Sequence, residues 1–228
     1  MRMEALKKIY WKLCWLRRID IVKYVYYNFL SGNVVRDHKA RIIPYKGAML
    51  ELHKTSRLIL RGKDLRIGIN KIGKSKAETY IRLMQGAKWE CRNGASLCYG
   101  STIEVHENAA FETGYFFMNT GSVIIAAKRI GLGEDVLIGR DNVIYDSDFH
   151  PTFDSRGNIK NMPMEVCIGD HVWLTNHVMV QKGVVIKEGA VISPFTLLRK
   201  NVMGSMLVAN GTKQTCVLEN IWWSSSKL

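Results

Sequence analysis

The most regular feature of the chain is an aliphatic residue at every sixth position. From Ile168 the sequence reads IGDHVW, LTNHVM, VQKGVV, IKEGAV, ISPFTL, LRKNVM, which places Ile168, Leu174, Val180, Ile186, Ile192 and Leu198 in register. Four places after each stands a small or β-branched residue: Val172, Val178, Val184, Ala190, Thr196 and Val202. An α-helix repeats at roughly 3.6 residues and a strand at about two, so neither produces six consecutive hexads. A chain that turns a corner every six residues, sending one aliphatic side chain per corner to a common axis, does. The pattern predicts an all-β solenoid.

The same count runs earlier. Val105, Phe111, Phe117 and Val123 are six apart, and after a slip at Ala126 to Arg129 the count resumes at Leu132, Ile138 and Ile144. Residues 105–208 are therefore read as the hexad solenoid. A polar segment, 145–167, interrupts it with YDSDFHPTFDSRGNIKNMPMEVC, punctuated by Pro151, Gly157 and Pro163. A loop projecting from a rigid scaffold is where function concentrates. Residues 34–104 keep traces of the count, at Leu52 and Leu58 and at Leu83 and Trp89, and read as worn or irregular turns of the same solenoid.

Residues 1–33 read as a basic amphipathic helix ended by Ser31-Gly32-Asn33, with Leu6, Ile9, Leu13 and Leu16 at helical spacing. As far as Leu30 it carries seven basic residues against Glu4 and Asp20. That pattern suits a helix lying in an anionic headgroup layer, and equally one packed on the main domain or on a neighbouring subunit. Residues 209–228 form a short C-terminal extension.

Composition narrows the class. In 228 residues, 47% are hydrophobic, with 19 glycines and only four prolines, which excludes a disordered or low-complexity chain. Cys14, Cys91, Cys98, Cys167 and Cys216 are odd in number and lack metal-type spacing, as expected of a reduced, cytoplasmic protein. Lysines and arginines interrupt the N-terminal apolar positions, so neither a secretory signal nor a membrane span is expected. A net charge of +13 calls for an anionic partner. Membrane surface, acidic glycan and cofactor phosphates all fit, whereas no nucleic-acid motif is present and nucleic acid is not expected.

The segments IGLGEDVLIG, DSDFHP, IGDHVWLTNHVMVQKGVVIKEGAVI and VANGTKQTCVLEN, in that order, resemble the hexapeptide-repeat acyltransferases. Within these they are similar to the sugar and polysaccharide O-acetyltransferases related to maltose and galactoside acetyltransferases. The resemblance spans roughly Val105 to Asn220. It implies a left-handed parallel β-helix assembled as a homotrimer, with acetyl-CoA bound in clefts between neighbours and no metal. It also implies acetyl transfer to a sugar hydroxyl of a surface glycan or its lipid-linked precursor, with His150 as general base. An imidazole suits that role because it exchanges protons near neutral pH. Asp146 and Asp148 would then hold the imidazole tautomer or contact the acceptor. Asn119 matches a position that reaches the acceptor, although asparagine at a corner also serves the turn itself.

For acetyl-CoA, the resemblance implies Trp173 along the pantetheine arm, Thr175, Asn176 and Ser193 near the thioester, and Arg199, Lys200 and Lys213 at the phosphates. The chain departs from the family where Thr175-Asn176 replaces glycine and serine, where Ser193-Pro194-Phe195 replaces Gly-Ala-Gly, and where Gly211 replaces a proline. Those departures keep open a non-catalytic β-helix scaffold. A γ-type carbonic anhydrase would need three histidines on zinc; His150, His171 and His177 are the candidates, the last two at equivalent points of successive hexads. The basic N-terminal helix leads to the expectation of a peripheral enzyme at the inner membrane face.

Overall fold

The structure is a computed structural model and describes residues 16–210 and 214–219. All six hexad residues from Ile168 to Leu198 are buried, and so are their partners four places on. Ile168 pairs in parallel with Ile186, Leu174 with Ile192, and Val180 with Leu198, so each hexad stacks on the one three hexads later. A coil thus has three sides, and the chain winds into a left-handed parallel β-helix of three sheets. Face one runs from Val34–Arg36 to Val185–Ile186, face two starts at Ile42–Pro44, and face three runs from Ala48–Leu52 to Leu197–Leu198.

Residues 34–104 build the first coils of these same three sheets. Their irregularity is mainly one of length, with one register shift between Ile67 and Ile69. Leu58 pairs with Trp89 and Trp89 with Phe111, and the surplus chain is extruded at corners such as residues 70–78. The wider coils are filled by Trp89, Phe111 and Phe116, with ring centroids 5.2 Å (Trp89–Phe111) and 6.4 Å (Trp89–Phe116) apart.

The strict count fails at two places. Phe117 and Val123, expected inside, are outward and half-buried, while Phe116, Met118 and Ile124 face the axis. Strands here are three or four residues long and alternate sides. Their coil also exceeds three hexads, since Phe116 pairs with Val136. A six-residue count therefore slips onto the outer surface.

At the N-terminal end a short helix, α1 (Ile21–Val25), continues into a π-helical turn, Tyr26–Leu30. Asp20 caps it by accepting from the Lys23 amide. Asn28 is buried against the first coil, its Oδ1 accepting from the Ile42 amide and its Nδ2 donating to the Ile42 carbonyl. Tyr27 donates its hydroxyl to the Leu50 carbonyl at 2.7 Å. The segment thus closes an open solenoid end whose backbone groups would otherwise lack partners. Its other side is apolar and exposed, with Val22 at 81%, Phe29 at 62% and Leu30 at 70%. The rest of the predicted helix, residues 1–15, lies outside the described residues. Among those described, no helix is long and apolar enough to cross a membrane.

At the other end, Met206–Asn210 pairs in parallel with Val191–Ile192 and antiparallel with Gln214–Glu219. A hairpin therefore completes face two where a simple extension was expected.

The outer surfaces of the faces differ in chemistry. Face one carries an ion-pair network: Lys88–Glu90 at 3.0 Å, Arg129–Glu112 at 2.9 Å and Arg129–Glu165 at 3.2 Å. Face three, in its later coils, presents Val123, Ile125, Val143, Tyr145, Met179 and Leu197.

Candidate functional site

The projecting loop leaves face three at Tyr145 and rejoins face one at Val166, so it issues from the corner between faces three and one. Asp146, fully buried, anchors its root. Its two carboxylate oxygens accept from the amides of Ala127, Lys128 and Arg129 at 2.7, 2.8 and 2.7 Å. Those amides belong to the slip that interrupts the hexad count, which is thus a backbone nest folded around a carboxylate. The expectation that Asp146 holds the imidazole or the acceptor is corrected here: both oxygens are occupied by backbone in the interior.

Beyond this anchor the chain turns sharply. Phe149 has φ +61, its amide donates to Ser147 Oγ, and its ring packs against those of His106 and Tyr145, with centroids 5.3 and 5.4 Å away. The wedged phenylalanine fixes the residue that follows, His150, which is exposed. Among the described residues no hydrogen bond reaches the His150 ring. A small cavity of about 110 Å³ lies beside it, lined in part by Ser147, Phe149 and Asn161.

Asp148 is exposed and pairs with Lys182 Nζ at 2.5 Å and Asn161 Nδ2 at 3.1 Å. The Lys182 ammonium, and next the Asn161 amide, hold its carboxyl below the usual carboxylate range. Asp148 therefore touches neither imidazole nitrogen; it ties the loop to the next coil, and only its carbonyl meets His150, accepting from the His150 amide. Asn161 also donates to the His150 carbonyl and accepts from the Thr152 amide. Lys182 and Asn161 are the residues that sequence reasoning missed. Lys182 sits at the corner of VQKGVV just before Gly183, a position whose neighbour one coil below cannot be read without the coil length.

The other predicted residues fall on a different edge. Asn119, Thr175, Asn176 and Ser193 stack along the corner between faces two and three, and Trp173 lies beside them on face two, half-buried and facing outward. Asn119 Oδ1 accepts from the adjacent Thr120 amide. Thr175 donates its hydroxyl to the Ile192 carbonyl at 2.6 Å, and Asn176 Oδ1 accepts from the Arg140 amide at 2.8 Å. The Thr175-Asn176 departure thus makes bonds that hold successive coils together. Pro194 is exposed, and the Phe195 ring, 72% exposed, stacks on His177 with centroids 4.6 Å apart. Arg199 and Lys200 lie exposed on the same edge as His150, in the last coil. Lys213 lies outside the described residues.

The three histidines considered for zinc separate. One hexad is one corner, so His171 occupies the corner between faces one and two, where Nδ1 meets Asp135 Oδ2 at 2.8 Å, and His177 occupies the next. His150 is on the third. Among the described residues no group of three His, Cys, Asp or Glu side chains gathers as a metal site.

No family model matches the chain, and neither does any curated protein. Solved structures do. The polysialic acid O-acetyltransferase OatWY is 23% identical over 86% of this chain and 92% of its own, with a TM-score of 0.61. The polySia-specific acetyltransferase NeuO is 17% identical over 86% and 91%, with a TM-score of 0.45. A hexapeptide-repeat acetyltransferase from Vibrio cholerae, solved with acetyl coenzyme A, is 21% identical over 60% and 72%, with a TM-score of 0.43. The class defined by the coordinates is the left-handed parallel β-helix, and the likeness to OatWY, over nearly the whole of both chains, is one of fold.

Proposed function

We propose that the protein is an acyl-CoA-dependent O-acetyltransferase that moves an acetyl group from acetyl-CoA to a sugar hydroxyl, with His150 as general base. The observation that carries this is the exposed His150 on a braced loop, set on a β-helix that OatWY shares. In the reaction the imidazole takes the hydroxyl proton as the sugar oxygen attacks the thioester carbonyl carbon. The C–S bond then breaks, and the imidazolium returns the proton to the departing thiolate. Asn119, with Trp173 on the adjoining face, supplies contacts for acceptor and pantetheine, and the exposed Arg199 and Lys200 suit the CoA phosphates.

These groups lie on two edges of one prism with face three between them, so one chain cannot gather them. A homotrimer with the apolar third faces turned inward brings the His150 edge of one protomer to the Trp173 edge of the next. Phe153, Ile159 and Met162, exposed on the loop, suit burial against that neighbour. The acceptor in this reading is a surface glycan or its lipid-linked precursor. The protein works in the cytoplasm at the inner membrane face, resting on the exposed apolar side of α1 and its π-helical turn; sedimentation with phosphatidylglycerol vesicles checks the contact, and protein left wholly in the supernatant removes it.

The test of the chemistry is release of free thiol from acetyl-CoA in the presence of acidic and neutral glycans. Replacing His150→Ala should lower the rate about 10² to 10⁴-fold with acetyl-CoA binding intact. Undiminished transfer in the variant rules out His150 as the base.

A further inference from the structure

The first two coils open a cleft of about 460 Å³ at the corner between faces two and three, lined by Arg17, Arg18, Lys46, Lys71 and Lys74 and by no carboxylate. Among the described residues none of these five cations has an ion-pair partner. Lys71 is half-buried, and a Cβ on Gly47, whose φ is +94, would collide with its ammonium. The positive φ calls for glycine at this turn, and the Lys71 ammonium occupies the space that a side chain would take. Like charges gathered without counter-charge cost free energy unless an anion joins them.

This cleft lies on the Asn119 edge. Its loop, residues 70–78, and the Asn119–Thr120 turn both abut Gly100, where a Cβ would sit 3.7 Å from Ala77 Cβ and 3.5 Å from Thr120 Cγ2. With coils stacked about 4.8 Å apart, the cations begin about 10 Å from Asn119, on the side away from the last coil.

We infer that this cleft is an acceptor subsite for an acidic glycan, holding carboxylate or phosphate groups on sugars beyond the one that is acetylated. The inference rests on the acetyltransferase reading for what happens at the far end of the glycan, but the binding itself does not require catalysis. Remote charge contacts of this kind hold a polymer in place without touching the reacting atoms, and their strength falls with added salt.

The test uses the full chain with long and short oligosialic acids, a neutral maltooligosaccharide and phosphatidylglycerol vesicles, with calorimetry for the sugars and sedimentation for the vesicles. Long oligosialic acid should bind, and Lys71→Ala/Lys74→Ala should weaken it about tenfold or more while leaving acetyl-CoA binding unchanged. In transfer assays the same variant should raise KM for the long acceptor and leave kcat. Binding without any thiol release would remove the acetyltransferase reading and leave the subsite standing. Equal affinity for the neutral sugar, or an unweakened double variant, overturns the subsite. Loss of vesicle binding in the variant, with oligosialic acid affinity retained, overturns it in favour of a lipid headgroup.

Discussion

At the scale of single residues, the two aspartates flanking the candidate base do mechanical work that their sequence position conceals. Asp146 is a buried carboxylate wrapped by three amides, and Asp148 is an exposed one clamped by Lys182. Only the first carries much stability, because charge-assisted bonds in the interior escape the screening that weakens a surface pair. Asp148, its carboxyl held below the usual range, contributes at neutral pH and loses that contribution as pH falls through its lowered value. Replacing Asp146→Asn keeps the size but sets an NH₂ group against backbone N–H donors. It should cost about 2–3 kcal/mol and lower the melting temperature by roughly 5–10 °C, measurable by calorimetry. An unchanged melting temperature would mean that the nest adds nothing to stability.

At the scale of elements, the legible part of the sequence is where coil length is constant. From Ile168 to Leu198 every coil is three hexads, so counting in sixes identifies the inward residue without error. Between Phe111 and Ala126 the coils are longer, and the count drifts onto Phe117 and Val123. In residues 34–104 the same sheets are present, yet extrusions such as residues 70–78 break the count altogether. Cross-coil partners such as Lys182 with Asp148 were not legible because they depend on that length. Nor was the cation cleft, whose members are scattered from Arg17 to Lys74 and meet only when coils stack. The displaced phase can be checked directly. Ile124→Ala opens a cavity in the core and should cost about 2–5 kcal/mol in denaturant unfolding. Val123→Ala, one residue away on the outer surface, should cost well under half as much; comparable losses would restore the original count.

At the scale of the whole molecule, the outer faces of the prism differ in chemistry. Face one bears an ion-pair network suited to water, face two is closed by the terminal hairpin, and face three, charged in its first coils, shows apolar side chains in its later ones with no described strand or helix over them. The candidate residues border face three on both sides, so the proposed homotrimer would hide that face and complete the site together. This argument is independent of which sugar is modified, and subunit mixing tests it. On the proposed assembly, trimers of His150→Ala would lack the base at every site and trimers of Trp173→Ala would lack the pantetheine wall, so each homogeneous protein should be nearly inactive. When the two are unfolded together and refolded, random assortment gives about a quarter of the interfaces an intact histidine from one chain and an intact tryptophan from its neighbour. Thiol release should rise to a comparable fraction of the wild-type rate. If His150 and Trp173 instead served one site within a single protomer, no mixture could contain an intact site, and the refolded sample would be as inactive as its parents.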